Sequence, residues 1–205
     1  MLKVGLTGGY ATGKTFVAHE LERLGCHVLY ADRLGHLVLE PGGEAYAPAL
    51  EAFGPAILNG DGSINRKKLG EMVFGSPERL DQLTGFVHPA VFRLEERFER
   101  EFADADPNGI SVYEAAILIE TGRYTRFDRL IVTTCSPEVQ IARGMKRDGL
   151  SREEVIQRLS RQLPFEEKKK HAQFVIDTSG EKADAVRQTG EVFAQLKRIA
   201  SATPT

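Results

Sequence analysis

A glycine-rich loop near the N-terminus carries the clearest chemistry in the sequence. Residues 8–15 read Gly8-Gly9-Tyr10-Ala11-Thr12-Gly13-Lys14-Thr15, a full match to G-x-x-x-x-G-K-[ST]. In such a loop, successive backbone N–H groups bind phosphate oxygens, the lysine reaches the β- and γ-phosphates, and the final hydroxyl can ligate Mg²⁺. The match predicts that residues 8–15 bind a nucleoside triphosphate, with Lys14 as a catalytic group and Thr15 as a metal ligand.

A carboxylate follows the second predicted strand. Asp32 comes two residues after the apolar run 27–30, so in a parallel sheet it lies at the carboxyl edge, where ligands collect. There it could accept the proton of an acceptor hydroxyl or help to hold Mg²⁺. It could also cap a helix that starts near Arg33, a role compatible with catalysis.

Two arginines are spaced to share one helix face. Arg143 and Arg147 are four residues apart after Ser136-Pro137, which is typical of a helix N-cap followed by proline. A pair of guanidinium groups could stabilise the charge of a transferring phosphoryl group, and we predict both as catalytic groups. The alternative is a solvated helix face. Arg158 and Arg161 are weaker candidates for the same task.

Two further features could contribute to a site, and a third is more simply a surface segment. Glu114 and Glu120 flank the apolar run 115–119; either could orient hydrated Mg²⁺, and Glu120 is also predicted to bind substrate. His88 precedes Pro89 at the predicted start of an amphipathic helix over 89–103, so it could contact a substrate or serve as a packing residue. The run Glu-Glu-Lys-Lys-Lys at 166–170 is predicted to be a solvated charged segment.

The elements that must position these residues alternate between short apolar runs and helical patterns. This alternation predicts an α/β fold, a five-stranded parallel sheet flanked by helices. The predicted strands are residues 2–6, 27–30, part of 110–119, 130–134 and 174–176. Helices are predicted over 14–24 and 89–103, after Ser136, and after a capping box at Ser151-Arg152-Glu153-Glu154. Residues 200–205 are predicted to be a frayed tail.

One stretch breaks the alternation. Residues 41–109 contain helical patterns and a turn-rich passage without a convincing strand. We predict a helical insertion within a single domain, 1–205. It could carry a second substrate or be merely structural.

Composition excludes several classes of protein. The formal net charge of the 205 residues is -2, which gives no electrostatic case for a nucleic-acid partner. The apolar runs are far too short to span a bilayer, and Cys26 and Cys135 suggest neither a disulfide framework nor a zinc site. A guanine-reading N-K-x-D motif and the dinucleotide pattern G-x-G-x-x-G at the loop are both missing from the sequence. We expect a cytoplasmic protein without membrane or nucleic-acid partners, either a monomer or a small homo-oligomer.

An ordered series of segments resembles the dephospho-coenzyme A kinase family over nearly the whole chain. The segments are residues 4–15, 30–32, 40–42, 88–89, 117–120, 140–143, 147–149, 158–162, 168 and 172–177. The resemblance implies a P-loop kinase fold related to nucleoside monophosphate kinases. It also implies ATP and Mg²⁺ as cofactors and the ribose 3′-hydroxyl of dephospho-CoA as acceptor. It places a CoA-binding region at about 41–109 and a lid at about 138–170 that carries Arg143 and Arg147, and it matches Asp32 to the carboxylate proposed to act on the acceptor hydroxyl.

The sequence departs from the family at four positions. Tyr30 stands where an aspartate is typical, and Ala11 stands where a glycine is usual, which predicts an ordinary negative φ there. Gln173 and Thr178 replace an aspartate and an asparagine near the expected adenine-side loop. The alternatives to this family are a kinase for another small-molecule hydroxyl and a nucleotide-binding regulatory module without turnover.

Overall fold

The computed structural model describes residues 1–202 of the chain. Within them, the chain folds into two compact units. The sheet unit comprises residues 1–30 and 102 onward, and the helical unit comprises residues 31–101.

The sheet unit is built on five parallel strands in the order β2-β3-β1-β4-β5. They are β1 (Leu2–Gly8), β2 (His27–Tyr30), β3 (Ile110–Glu114), β4 (Arg129–Thr134) and β5 (Phe174–Asp177). The central strands are almost completely buried, as expected for a sheet whose two faces are both covered. The predicted five-stranded parallel sheet is confirmed.

Within residues 1–202, five helices belong wholly to the sheet unit. They are α1 (Lys14–Arg23), α6 (Pro137–Asp148), α7 (Arg152–Leu159), α8 (Phe165–Lys169) and α9 (Lys182–Ala202), with a 3₁₀ turn at Arg123–Arg126. The main core lies where α1 and α9 pack on the sheet, and it includes Val17, Leu21 and Leu196. Because α1 packs closely here, the loop between β1 and α1 is held at both ends.

The helical unit contains α2 (Ala31–Leu37), α3 (Tyr46–Phe53), α4 (Arg66–Phe74) and most of α5 (Pro77–Ala105), with a 3₁₀ turn at Pro55–Ile57. Its own apolar cluster joins Ala49, Ile57 and Leu69. The single strand-like feature described between residues 41 and 109 is an isolated bridge between Leu58 and Ile64. None of the helices within residues 1–202 is long and apolar enough to cross a membrane.

The predicted boundaries are wrong at the long helix that contains Pro89 and at the C-terminal tail, and are correct at β3 and at the start of α6. Strand β3 (Ile110–Glu114) lies within the predicted range 110–119, and the apolar run 115–119 lies outside it. Helix α5 begins at Pro77 and contains Pro89, although a proline in a helix interior removes a hydrogen bond. Ser136 occupies the predicted N-cap position of α6 and Pro137 is its first residue, although the Ser136 side chain makes no capping hydrogen bond. The predicted tail is helical to Ala202, and residues 203–205 lie outside the described residues.

The capping box at the start of α7 is confirmed. The Ser151 side chain accepts a hydrogen bond from the backbone of Glu154, and the Glu154 side chain accepts one from the backbone of Ser151. This reciprocal pair satisfies two amides that would otherwise have no helical partner. It fixes the start of α7 independently of its packing.

Candidate active site

The glycine-rich loop connects the last residue of β1 to the first residue of α1. A Cβ at Gly8 would lie 2.2 Å from Thr133 Oγ1 and 2.7 Å from the carbonyl oxygen of Thr133, so β1 and β4 approach too closely there for any side chain. Gly13 adopts a left-handed conformation with φ of 79°. Ala11 does so too, with φ of 57°. The predicted negative φ at Ala11 is therefore wrong, and the alanine adopts a conformation that costs about 1–2 kcal/mol.

Lys14 opens α1 and faces a carboxylate from the sheet. Its Nζ lies 3.9 Å from Glu114 Oε1, and both side chains are largely buried. Glu114 is the last residue of β3, which pairs with Leu6 of β1, so the carboxyl edge of the sheet brings it beside the loop. Of the two candidate carboxylates, Glu114 is the one beside the phosphate-loop lysine.

A cavity of about 760 Å³ opens beside the loop. Its walls come from the start of α1, from α6 and from the segment joining β5 to α9. Lys14, Thr15, Arg143 and Arg147 all line it, so the structure brings four of the predicted site residues together. The volume lies within the range of small-molecule and cofactor sites.

Arg143 is fixed against the wall of this cavity by Thr178. The guanidinium donates to Thr178 Oγ1 at 2.8 Å and to the Thr178 carbonyl oxygen at 2.6 Å. Thr178 is buried, and its hydroxyl lies 3.0 Å from the carbonyl oxygen of Thr12 and 3.2 Å from that of Thr134. The sequence marks Thr178 only as a departure from the family, whereas the structure makes it a connection between the phosphate loop, β4 and α6.

Arg147 has a different environment from Arg143. Its side chain is more than half exposed, and it donates to Asp148 through Nε at 2.8 Å and through Nη2 at 3.2 Å. Arg158 also donates to Asp148, at 3.0 Å. The hydrogen bond from Arg147 and the one from Tyr10 hold the pKa of Asp148 at about 2. Asp148 is therefore ionised at neutral pH.

The buried Lys168 forms an ion pair with the more exposed Glu120, which the sequence does not reveal. Lys168 Nζ lies 2.6 Å from Glu120 Oε1 and donates to the carbonyl oxygen of Ala116 at 3.3 Å. Lys168 is 1% exposed, so the prediction of a fully solvated run at 166–170 is wrong. Glu120 also accepts a hydrogen bond from the Leu163 backbone at 3.3 Å. The carboxylate is engaged with protein groups, and a role for Glu120 in binding substrate stays a prediction.

Asp32 and His88 lie in the helical unit. Helix α2 begins at Ala31, so the exposed Asp32 sits within its first turn rather than capping it. His88 is exposed, and its ring centroid lies 6.4 Å from that of Phe92. It is the twelfth residue of α5, so the prediction that it heads a helix is wrong. The proposed roles of both residues stay predictions.

Tyr30 turns its side chain toward α1. Its hydroxyl lies 2.9 Å from His19 Nδ1 and 3.1 Å from Glu22 Oε2. Its ring belongs to the core beneath α1. The residue that replaces the usual aspartate of the family thus serves packing against α1.

The site offers single oxygen ligands for Mg²⁺ rather than a complete set of protein ligands. Within the described residues 1–202, no cluster of three or more His, Cys, Asp or Glu side chains could hold a metal ion. Mg²⁺ typically keeps several waters and binds through one or two protein oxygens plus substrate phosphates. The Thr15 hydroxyl and the Glu114 carboxylate fit that donor set.

Comparisons with known proteins give a consistent result. A family model described as dephospho-CoA kinase matches residues 2–184. The dephospho-CoA kinase of Geobacter sulfurreducens is 41% identical over 194 residues, which is 94% of this chain and 97% of that protein. The solved structure of the dephospho-CoA kinase from Campylobacter jejuni has a TM-score of 0.72 at 28% identity, with 96% of this chain and 97% of that chain covered. The structure of TT1252 from Thermus thermophilus has a TM-score of 0.75 at 31% identity, with 99% of this chain and 98% of that chain covered.

Proposed function

The chain belongs to the dephospho-CoA kinase family, as its ordered motifs predict, and from that membership we propose how its own residues divide the reaction. It is a kinase that phosphorylates dephospho-CoA to coenzyme A, the last step of coenzyme A biosynthesis. We propose ATP as the phosphoryl donor and the ribose 3′-hydroxyl of dephospho-CoA as the acceptor.

The donor is bound by the phosphate loop and the cavity beside it. Backbone N–H groups of residues 8–15 hold the phosphates, and Lys14 neutralises the β- and γ-phosphate oxygens. The observation that carries this assignment is that Lys14, Thr15, Arg143 and Arg147 line one cavity. Arg143 is held by two hydrogen bonds to Thr178, which suits a fixed nucleotide-binding wall. Arg147 is the more exposed of the two, which suits a group that meets the transferring phosphoryl group.

Magnesium, when bound, neutralises phosphate charge. We propose that the Thr15 hydroxyl ligates it and that Glu114 orients its water shell, in preference to Glu120. The support for this choice is the 3.9 Å separation between Glu114 and Lys14, against the engagement of Glu120 by Lys168.

Asp32 is the proposed group for the acceptor hydroxyl. It follows the last residue of β2 by two positions and its carboxylate is exposed. A carboxylate there can orient the hydroxyl and accept its proton. Because phosphoryl transfer is loose, orientation is expected to account for most of its effect.

A coupled assay of ADP formation tests the assignments. Turnover should require dephospho-CoA and should fail with an acceptor that lacks the 3′-hydroxyl. Lys14→Ala should lower kcat by about 10²-fold or more, the usual effect of deleting a key electrostatic group. The control is Lys197→Ala, which removes an exposed lysine on α9. A folded Lys14→Ala protein with more than about a tenth of the wild-type kcat would contradict the donor assignment.

The acceptor assignment has its own test. Asp32→Asn should lower kcat by about 10² to 10⁴-fold while ATP binding changes little. Asp184→Asn, in the first turn of α9, controls for the loss of a charge at a helix start. If Asp32→Asn retains the wild-type rate with dephospho-CoA, the acceptor-activating group is another residue.

A further inference from the structure

Tyr10, in the middle of the phosphate loop, lies beneath two arginines of the segment 138–170. The guanidinium carbon of Arg147 lies 4.6 Å from the centroid of the Tyr10 ring, and that of Arg158 lies 5.8 Å from it. The Tyr10 hydroxyl donates to Asp148, which also accepts from both arginines. The Tyr10 ring and the Asp148 carboxylate therefore both interact with the two guanidinium groups.

The position of Tyr10 is itself fixed by α6 and the segment after α7. Its backbone N–H donates to Gln162 Oε1 at 2.6 Å, and its carbonyl oxygen accepts from Gln140 Nε2 at 2.5 Å. The ring packs on Gly144 of α6, where an added Cβ would lie 2.6 Å from Tyr10 Cε1. Tyr10 is therefore held both by its backbone hydrogen bonds and by the packing of its ring edge.

Arg147 needs such a support because it is a long side chain with an exposed surface. Its side chain is 58% exposed, and it lines the cavity that receives the donor. An exposed arginine samples many rotamers unless its neighbours restrict it. A stacking aromatic face favours one orientation of the planar guanidinium, and Asp148 fixes the rotation of that plane through two hydrogen bonds.

We propose that Tyr10 is a positioning residue for phosphoryl transfer, which acts by holding the guanidinium of Arg147 in its working orientation at the donor cavity. This proposal rests on the role proposed above for Arg147. It assigns to the side chain of Tyr10 a task separate from that of the loop backbone, whose N–H groups bind phosphate.

Two variants remove the stacking by different routes. Tyr10→Leu deletes the ring, whereas Gly144→Ala leaves the ring in the sequence and displaces it with a Cβ. Each should lower kcat by about fivefold, the upper end of what one cation–π contact contributes at an exposed site. The Kd for ATP should change little in both variants and the melting temperature should change little in Tyr10→Leu, whereas Gly144→Ala should lower the melting temperature, because its Cβ would also lie 3.0 Å from Cγ1 of the buried Val155. Gly190→Ala in α9 is the matched control, because a Cβ there meets nothing within 4 Å.

A double-mutant cycle with Arg147→Ala separates positioning from general stabilisation. In the Arg147→Ala background, Tyr10→Leu should change kcat by less than about twofold, because residues that act through one another are not additive. Full multiplication of the two losses would overturn the proposal, and so would wild-type kcat in folded Tyr10→Leu protein. If Tyr10→Leu does not fold, Gly144→Ala decides by the same criteria.

The cycle also distinguishes this proposal from the one on which it rests. If Arg147→Ala lowers kcat and Tyr10→Leu does not, the role of Arg147 stands and the positioning role of Tyr10 fails. If Arg147→Ala leaves kcat unchanged, the role proposed for Arg147 fails, and with it the positioning role of Tyr10.

Discussion

Replacing Lys168 by methionine is expected to destabilise the protein by about 3 kcal/mol, at the lower end of the range for breaking a buried ion pair. Methionine keeps the length of the side chain and removes the ammonium that lies 2.6 Å from Glu120. The carboxylate left behind is 19% exposed and still accepts from the Leu163 backbone, so water and one amide compensate part of its charge. The Ala116 carbonyl also keeps a partner, because the Thr7 hydroxyl donates to it at 3.2 Å.

Removing the other partner of the ion pair, Glu120, is expected to lower the free energy of unfolding by more. Glu120→Ala leaves the ammonium of Lys168, which is 1% exposed, beside the neutral Ala116 carbonyl and without its carboxylate. Its cost should therefore approach about 5 kcal/mol, the upper end of the same range. The double variant should be more stable than the sum of the single losses predicts, because it leaves neither charge of the pair behind.

Urea unfolding and thermal unfolding, both followed by circular dichroism at pH 7, measure the free energy of unfolding and the melting temperature of all three variants. For a chain of this size, the melting temperature of Lys168→Met should fall by about 6–12 °C. Lys169→Met replaces the adjacent exposed lysine and should stay within about 0.5 kcal/mol of the wild type. A loss below about 1 kcal/mol for Lys168→Met, or a smaller loss for Glu120→Ala than for Lys168→Met, would refute the reasoning.

Three further predictions follow from single groups. Gly8→Ala should destabilise the protein by about 1–3 kcal/mol or more, because its Cβ would lie 2.2 Å from Thr133 Oγ1; wild-type stability in urea would contradict this. Asp148 should titrate by carbon-detected NMR with a pKa of about 2, and Arg147→Ala should raise that pKa; the stability contributed by the ionised form is present at neutral pH and is lost as the pH falls through about 2. Burial raises the pKa of Cys26 to about 12, so its thiol should react with a disulfide reagent at pH 8 only after unfolding; rapid labelling of the native protein would disprove the assignment.

The sequence predicts the sheet and the phosphate loop well because both leave local patterns. Strand β2 is observed at the predicted residues, His27–Tyr30, and the loop lies between β1 and α1 as its motif requires. The apolar run 115–119 has the composition of a strand, but the pairing of β3 ends at Glu114. Apolar composition reports burial, and it does not report where a hydrogen-bonded ladder ends.

The misjudged site residues depend on contacts that no local pattern encodes. Three successive lysines at 168–170 are chemically identical, and Lys168 alone of the three is buried, because α8 turns it inward toward Glu120. In the sequence Glu114 and Glu120 are equivalent, and their partners in the structure distinguish them. The left-handed conformation of Ala11 likewise follows from the path of the loop rather than from the preference of alanine.

The strand order of the sheet has a consequence for synthesis on the ribosome. Strand β1 carries the phosphate loop, yet Leu2 pairs with Ile110 and Val4 with Arg129, so both neighbours of β1 are made more than a hundred residues later. At about 5–20 residues per second, β1 waits roughly 6–25 s for both, and the helical unit is synthesised completely before either arrives. Non-local parallel pairing is also slow to form. The nascent chain should therefore acquire a protected helical segment first and become able to bind nucleotide only near the end of translation.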